Sequence, residues 1–179
     1  MSWSQTDVVL AARAREITLV ALDVDGVLTD DGFHWGPNGE EWKRFSFLDV
    51  MGISRAQKGG IAFALVSGEV SPLVNRYAAK MSIGNVITGC KDKRGAIIDL
   101  AVRLRLVPAQ VAFIGNDVND LEALAWVGFS ATPADAHPSV RARVHYVARA
   151  PGGRGAVREI LDLLLFFTAL GYTAGGTCD

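Results

Sequence analysis

Cysteine is almost missing. Cys90 and Cys178 are the two in 179 residues, they form no spaced framework, and this usage fits a reducing compartment. Histidine is as sparse: His34, His137 and His145 lack ligand spacing, so three unrelated roles are expected rather than a metal cluster. Charge of one sign is missing too. The formal net charge is −1, and no basic block or basic-aromatic interleaving points to nucleic acid. Long apolar runs are absent as well. Residues 163–170, the longest late one, are too short to span a bilayer. Residues 1–16 carry acids and lack a basic-then-apolar signal pattern. A cytoplasmic protein with no membrane or nucleic-acid partner is expected. No repeat, low-complexity segment or linker interrupts the chain, so one domain over 1–179 is expected, able to bury about two-thirds of its unfolded surface.

What is present is alternation. Half of the residues are hydrophobic. Apolar runs predict strands over 17–23, 61–66, 85–88, 111–115, 127–131 and 144–147. Helical spacing separates them at 71–81, 93–106 and 117–126, with Pro72 suited to a first helical turn and Pro108 closing a helix before it. The pattern predicts an α/β fold, a three-layer Rossmann-like parallel sheet. One stretch departs from it. Residues 27–47 read as a β-hairpin insertion after the first strand, with strands at 32–35 and 41–47 around Gly36-Pro37-Asn38-Gly39. Its aromatic residues Phe33, Trp35, Trp42, Phe45 and Phe47 exceed what a solvated hairpin needs. Burial against a partner is the favoured reading, and packing onto its own sheet is the alternative.

Chemistry concentrates at the ends of the expected strands. Asp23 and Asp25 leave the first one two residues apart and project to the same side. Carboxyl ends of strands are where open α/β sheets bind ligands. A further acidic cluster, Gly115-Asn116-Asp117-Val118-Asn119-Asp120, leaves the fourth strand, and acids so placed make a hard-cation site suited to phosphate chemistry. Asp23 is placed to attack phosphorus, and Asp25 to protonate the leaving alkoxide and then deprotonate water. Gly26 permits a turn that aims backbone N–H groups at a phosphate. Ser67 and Gly68 end the second strong strand and can hold phosphoryl oxygens. Lys93 follows the third strand and would balance the phosphoryl charge, with Lys91 its nearby competitor. Asn116 or Asp117 would complete a magnesium shell, and Asp120 would pair with Lys93. Helix capping by Asp117 or Asn119 competes with those roles.

Together Asp23-Val24-Asp25-Gly26-Val27-Leu28-Thr29, Ser67-Gly68, Lys93 and Gly115 to Asp120 resemble the four motifs of the haloacid dehalogenase superfamily of phosphatases. The hairpin in place of a large cap, with Ala134 to Pro138 and Gly152 to Glu159, is similar to its capless branch, and the resemblance spans about residues 15–165. That branch contains octulosonate 8-phosphate phosphatases, nonulosonate 9-phosphate phosphatases and the C-terminal domains of some acylneuraminate cytidylyltransferases. The resemblance implies Mg²⁺, a phosphorylated sugar acid as substrate, and hydrolysis through an aspartyl phosphate. Asp23, Asp25, Ser67, Lys93 and Asp120 would be catalytic, and Asp23, Asp25, Asn116 and Asp117 would face the metal. It also implies a homotetramer in which hairpins meet and the C-terminal helix and tail, about 154–179, close a neighbour's site.

The departures bear on specificity. Arginines that grip the sugar acid in octulosonate phosphatases are replaced by Leu48, Glu69 and Tyr77, and Glu69 is similar to the nonulosonate enzymes. A nonulosonate-type substrate is therefore expected over the octulosonate, with specificity from Asp49, Glu69 and Arg76. Gly26, Gly68 and Asn119 would bind substrate as well, and Arg154 would reach an anion in a neighbouring subunit or merely start a helix. Asn116, in place of the usual acid, would weaken metal binding. It is the one residue favouring the alternative, a catalytically weak assembly or regulatory module.

Overall fold

The computed structural model describes residues 5–169. In chain order the helix α1 (Gln5–Arg15) leads into strand β1 (Leu19–Leu22), and a hairpin β2 (His34–Trp35) and β3 (Glu41–Trp42) follows. Next come α2 (Phe47–Lys58), β4 (Ala62–Val66), α3 (Pro72–Lys80) and β5 (Asn85–Ile87). Helix α4 (Lys93–Leu104), β6 (Val111–Ile114), a 3₁₀ turn at 118–120, α5 (Leu121–Trp126) and β7 (Phe129–Thr132) continue the alternation. The described chain finishes with α6 (Pro138–Arg141), β8 (Tyr146–Val147) and α7 (Ala156–Ala169). Six strands form one parallel sheet in the order β5-β4-β1-β6-β7-β8.

The pleat explains both layers of helices. Val20, Leu22, Phe63, Leu65, Ala112 and Ile114 face one side and pack against α1, α2, α3 and α7. Leu19, Ala21, Ala64, Val66, Val111 and Phe113 face the other and pack against α4, α5 and α6. Strands buried on both faces read as unbroken apolar runs, which is why each was visible in the sequence. The helix starts are equally local. Ser71 caps α3, its Oγ accepting from Leu73 N at 3.3 Å ahead of Pro72, and Asp92 caps α4 through Gly95 N at 2.8 Å. No helix among the described residues is long and apolar enough to cross a membrane.

The hairpin is shorter than expected. Its paired strands hold two residues each, His34 opposite Trp42 and Trp35 opposite Glu41, around a turn in which Gly39 takes φ +87°. Phe45 has left it and stacks on Tyr77 of α3, ring centroids 4.4 Å apart. Phe47 opens α2, a helix without an apolar stripe to mark it in the sequence, since its buried side is Asp49, Gly52, Ile53 and Ala56. The aromatic set therefore divides: Phe45 packs onto its own fold, whereas Phe33, Trp35, Trp42 and Phe47 stay exposed. The expected tail beyond Ala169 lies outside the described residues.

Candidate active site

Order across the sheet places four loops side by side, because β1 sits centrally between β4 and β6. Asp23 follows β1 directly and is 6% exposed, with its Oδ1 accepting from Val24 N at 2.7 Å. Gly26 turns the chain at φ +77°, where a β-carbon would collide with the side-chain amide of Asn116. Only glycine lets the two acidic loops approach this closely. Gly152 seals the same loop from behind, since its α-carbon rests against the Gly26 carbonyl, and Gly153 N donates to Val27 O at 3.0 Å. The glycine run 152–155 is thus a buttress for the first motif.

Lys93, the first residue of α4, is buried with its ammonium 2.7 Å from Asp23 Oδ2 and 2.6 Å from Asp120 Oδ1. Asp120 is fully buried, and its other oxygen accepts from Asn116 N at 2.8 Å and Asp117 N at 3.2 Å. One carboxylate therefore orients the lysine and shapes the fourth loop together. Burial pulls the Lys93 ammonium down, but the charges of Asp23 and Asp120 outweigh it and hold its pKa above the ordinary value. Asp23 is pushed up to about 7 by burial and then by the Asp120 charge, with Lys93 opposing. Lys91 lies outside this cluster and donates to Gly68 O at 3.2 Å. Asp25 is held from the hairpin, by Lys43 Nζ at 2.8 Å.

The loops enclose a cavity of about 480 Å³ lined by Asp23, Asp25, Gly68, Glu69, Lys93, Asn116, Asp117 and Asn119. Asp31, Glu41, Lys43, Ser71 and the rings of Phe33 and Trp35 complete its wall. Sequence reasoning missed this second set. Its one available signal was the two-residue spacing of Glu41, Lys43 and Phe45 on a strand. Ser67 lies beneath the wall, buried, with its Oγ accepting from Glu69 N at 3.1 Å. Asp117 both lines the cavity and caps the turn after it, through Val118 N at 2.7 Å.

Four expected substrate contacts do not line this cavity: Gly26, whose N–H donates to Thr29 Oγ1 at 3.3 Å instead of facing the pocket, and Asp49, Arg76 and Arg154. Asp49 is fully buried and accepts from Gly155 N at 3.3 Å and Arg158 N at 2.9 Å. It caps α7 from a distance, so its substrate role is corrected to a structural one. Arg76 lines a neighbouring cavity with Phe47, Tyr77 and Lys80. Arg154 is exposed, 3.9 Å from Asp30, outside the pocket. The histidines do have separate roles: His34 sits on the hairpin, His137 caps α6 and His145 bonds Ser130.

The donor set fits a hard divalent cation. Asp23, Asp25, Asp31 and Asp117 outnumber the ammoniums of Lys43 and Lys93 around one cavity. The imbalance is felt at Asp31, whose carboxyl is raised above its ordinary value by burial and then by the charges of Asp25 and Asp117. Among the described residues no three His, Cys, Asp or Glu side chains form a finished cage. Magnesium does not require one, since it binds through one or two carboxylates, waters and substrate phosphate.

A haloacid dehalogenase-like hydrolase family model matches residues 69–160. The 3-deoxy-D-manno-octulosonate 8-phosphate phosphatase of Escherichia coli is 43% identical over 154 residues, 86% of this chain and 82% of that protein. The crystal structure of the same-named phosphatase from Yersinia pestis superposes with TM-score 0.88 at 39% identity, covering 90% of this chain and 87% of that one. The Moraxella catarrhalis phosphatase, crystallised with magnesium, phosphate and the octulosonate sugar, superposes equally well at 33% identity, covering 89% and 92%. These relatives are named as phosphatases of the octulosonate ester, and as enzymes they set aside the reading of this chain as a weak or inactive assembly or regulatory module. With a two-stranded hairpin where a large cap would stand, the chain belongs to the haloacid dehalogenase-like hydrolases, as an enzyme of their capless phosphatase branch.

Proposed function

We propose that this enzyme is an Mg²⁺-dependent phosphomonoesterase, one unit over the whole chain, that hydrolyses 3-deoxy-D-manno-octulosonate 8-phosphate through an aspartyl phosphate. The observation that carries the mechanism is the Asp23–Lys93–Asp120 arrangement at the strand ends. The substrate rests on the relatives, which are 43% and 39% identical to it over the aligned residues and are named as phosphatases of that ester.

Asp23 Oδ2 attacks phosphorus as the bond to the sugar oxygen breaks, and the leaving alkoxide takes a proton from the Asp25 carboxyl. Water then attacks the same phosphorus, its proton returns to Asp25, and the bond to Asp23 breaks to release phosphate. Lys93 offsets the phosphoryl charge while Asp120 keeps its ammonium in place. Gly68 and Asn119 line the wall that faces the phosphoryl oxygens. Asp23 and Asn116 or Asp117, with Asp25 contributing through its main chain so that its carboxyl stays free for proton transfer, would hold the Mg²⁺, which when bound supplies positive charge that draws the ester to the two acids. Asn116 leans on Gly26, and Asp117 has one oxygen engaged by Val118 N. For the acid end of the sugar, Glu69 lines the pocket where an arginine is usual, and Arg76 and Lys80 are cations beside Tyr77 in the adjoining cavity.

A panel of phosphorylated sugar acids assayed with Mg²⁺ and again with chelator tests the reading. The octulosonate ester is expected to be the preferred substrate, with activity lost on chelation and restored by Mg²⁺. Preference for a nine-carbon ester would overturn the substrate, and activity indifferent to chelator would overturn the metal.

Assembly as a homotetramer with shared sites is part of the same proposal. Its support is the exposed rings of Phe33, Trp35 and Trp42 beside the pocket mouth. Burying each ring between subunits would stabilise association by about 1.5–3 kcal/mol. Trp35→Asp is therefore expected to shift the protein to smaller species by sedimentation and to lower turnover. A wild-type protein that sediments as a monomer at micromolar concentration with full activity refutes this.

A further inference from the structure

Asp23 and Asp25 are held very differently. Asp23 is fixed from within the core, by Val24 N and by Lys93. Asp25 is partly exposed, and among the described residues its carboxylate has one side-chain partner, Lys43 at 2.8 Å. That lysine is supplied by the hairpin exit. Along it Glu41, Lys43 and Phe45 turn inward, whereas Trp42 and Arg44 turn out. The Lys43 side chain is only 5% exposed, although lysine rarely surrenders its water. It is itself steadied by Glu41 at 3.7 Å, which accepts from Ser71 Oγ on the opposite wall at 3.3 Å and from Trp35 Nε1 at 3.3 Å.

An acid/base group must point at the oxygen it serves, and a displacement of about 1 Å can cost on the order of a hundredfold in rate. A carboxylate on a short stem in an open pocket has several rotamers within reach. We propose that Lys43 is a positioning residue that aims the Asp25 carboxyl, protonated in the first step and ionised in the second, at the leaving-group oxygen, so that the hairpin completes the acid/base half of the site. This rests on the phosphatase reading above. The alternative use of the same ammonium, direct grip on the phosphoryl oxygens, predicts a different pattern.

The two are separated by leaving group. An alkoxide needs a proton as it departs, whereas nitrophenolate leaves without one. Values of kcat/KM report the transfer to Asp23 without the later hydrolysis step, so they isolate the acid role. For Lys43→Met, kcat/KM on octulosonate 8-phosphate is expected to fall about a hundredfold, within the usual range for acid–base catalysis, while p-nitrophenyl phosphate loses only about threefold. Lys43→Arg, which keeps a charged donor, is expected to recover part of the loss and provides a second folded variant. In an Asp25→Ala background, Lys43→Met is expected to add no further loss on the alkyl ester. Equal losses on both esters, or additive losses in the double variant, overturn the proposal. Wild-type enzyme that hydrolyses neither ester with Mg²⁺ would instead sink the phosphatase reading on which it stands.

Discussion

Asp23→Asn is expected to lower kcat by about four orders of magnitude or more, because the amide that replaces the attacking carboxylate is a poor nucleophile. The amide keeps the shape of the carboxyl and can still accept from Val24 N, so the turn after β1 is retained. Folding is expected to survive. Burial and the Asp120 charge already disfavour an anion at this position, and Lys93 keeps Asp120 as its partner when Asp23 loses its charge. The variant should therefore bind substrate and melt within a few degrees of the wild type while turning over almost nothing. A variant that retains a tenth of the wild-type rate would contradict the assignment of the nucleophile.

The second large effect is at Lys93. Its ammonium joins two buried carboxylates, and Asp120 through its other oxygen carries two amides of the fourth loop. Lys93→Met removes the charge and leaves that pair facing each other without a counter-ion. Breaking a buried pair by removing one partner costs about 3–5 kcal/mol. For a protein of this size that corresponds to a fall in Tm of roughly 6–20 °C. Activity is expected to fall in parallel, since phosphoryl charge loses its nearest fixed cation and the Asn116–Asp117 loop loses its anchor. Calorimetry on metal-free protein, paired with phosphate release, checks both halves. A variant that melts with the wild type would show the network to be ornamental.

What the sequence disclosed, and what it hid, follows from range. β1, β4 and β6 were legible because strands covered on both faces are apolar without interruption, and each ends on a polar motif that cannot continue inward. Lys93 and Asp120 could be paired in advance because both leave neighbouring loops of one topology. The misreadings came from contacts far along the chain. Asp49 lies just after the hairpin, so nearness in sequence suggested the pocket, but α7 arrives later and takes both its oxygens. Phe45 reads with the other hairpin aromatics as a residue to bury against a partner, but α3 supplies Tyr77 as its stacking partner within the same fold. Lys43 sits in the charged stretch Glu40-Glu41-Trp42-Lys43-Arg44, which has the look of a solvated edge. Only the fold of the hairpin over the strand ends turns that one lysine inward. The glycine run 152–155 was similarly opaque, because Gly152 and Gly153 press on the backbone of the first motif, far away along the chain.

The most direct test of the account is to trap the phosphorylated aspartate. Enzyme mixed with octulosonate 8-phosphate and Mg²⁺ is quenched in acid during turnover, reduced with borohydride and digested for mass spectrometry. An acyl phosphate is reduced to an alcohol under these conditions, so the peptide carrying Asp23 is expected to contain homoserine at position 23, with Asp25 unchanged. Homoserine at position 25, or active enzyme in which position 23 is never modified, would contradict it.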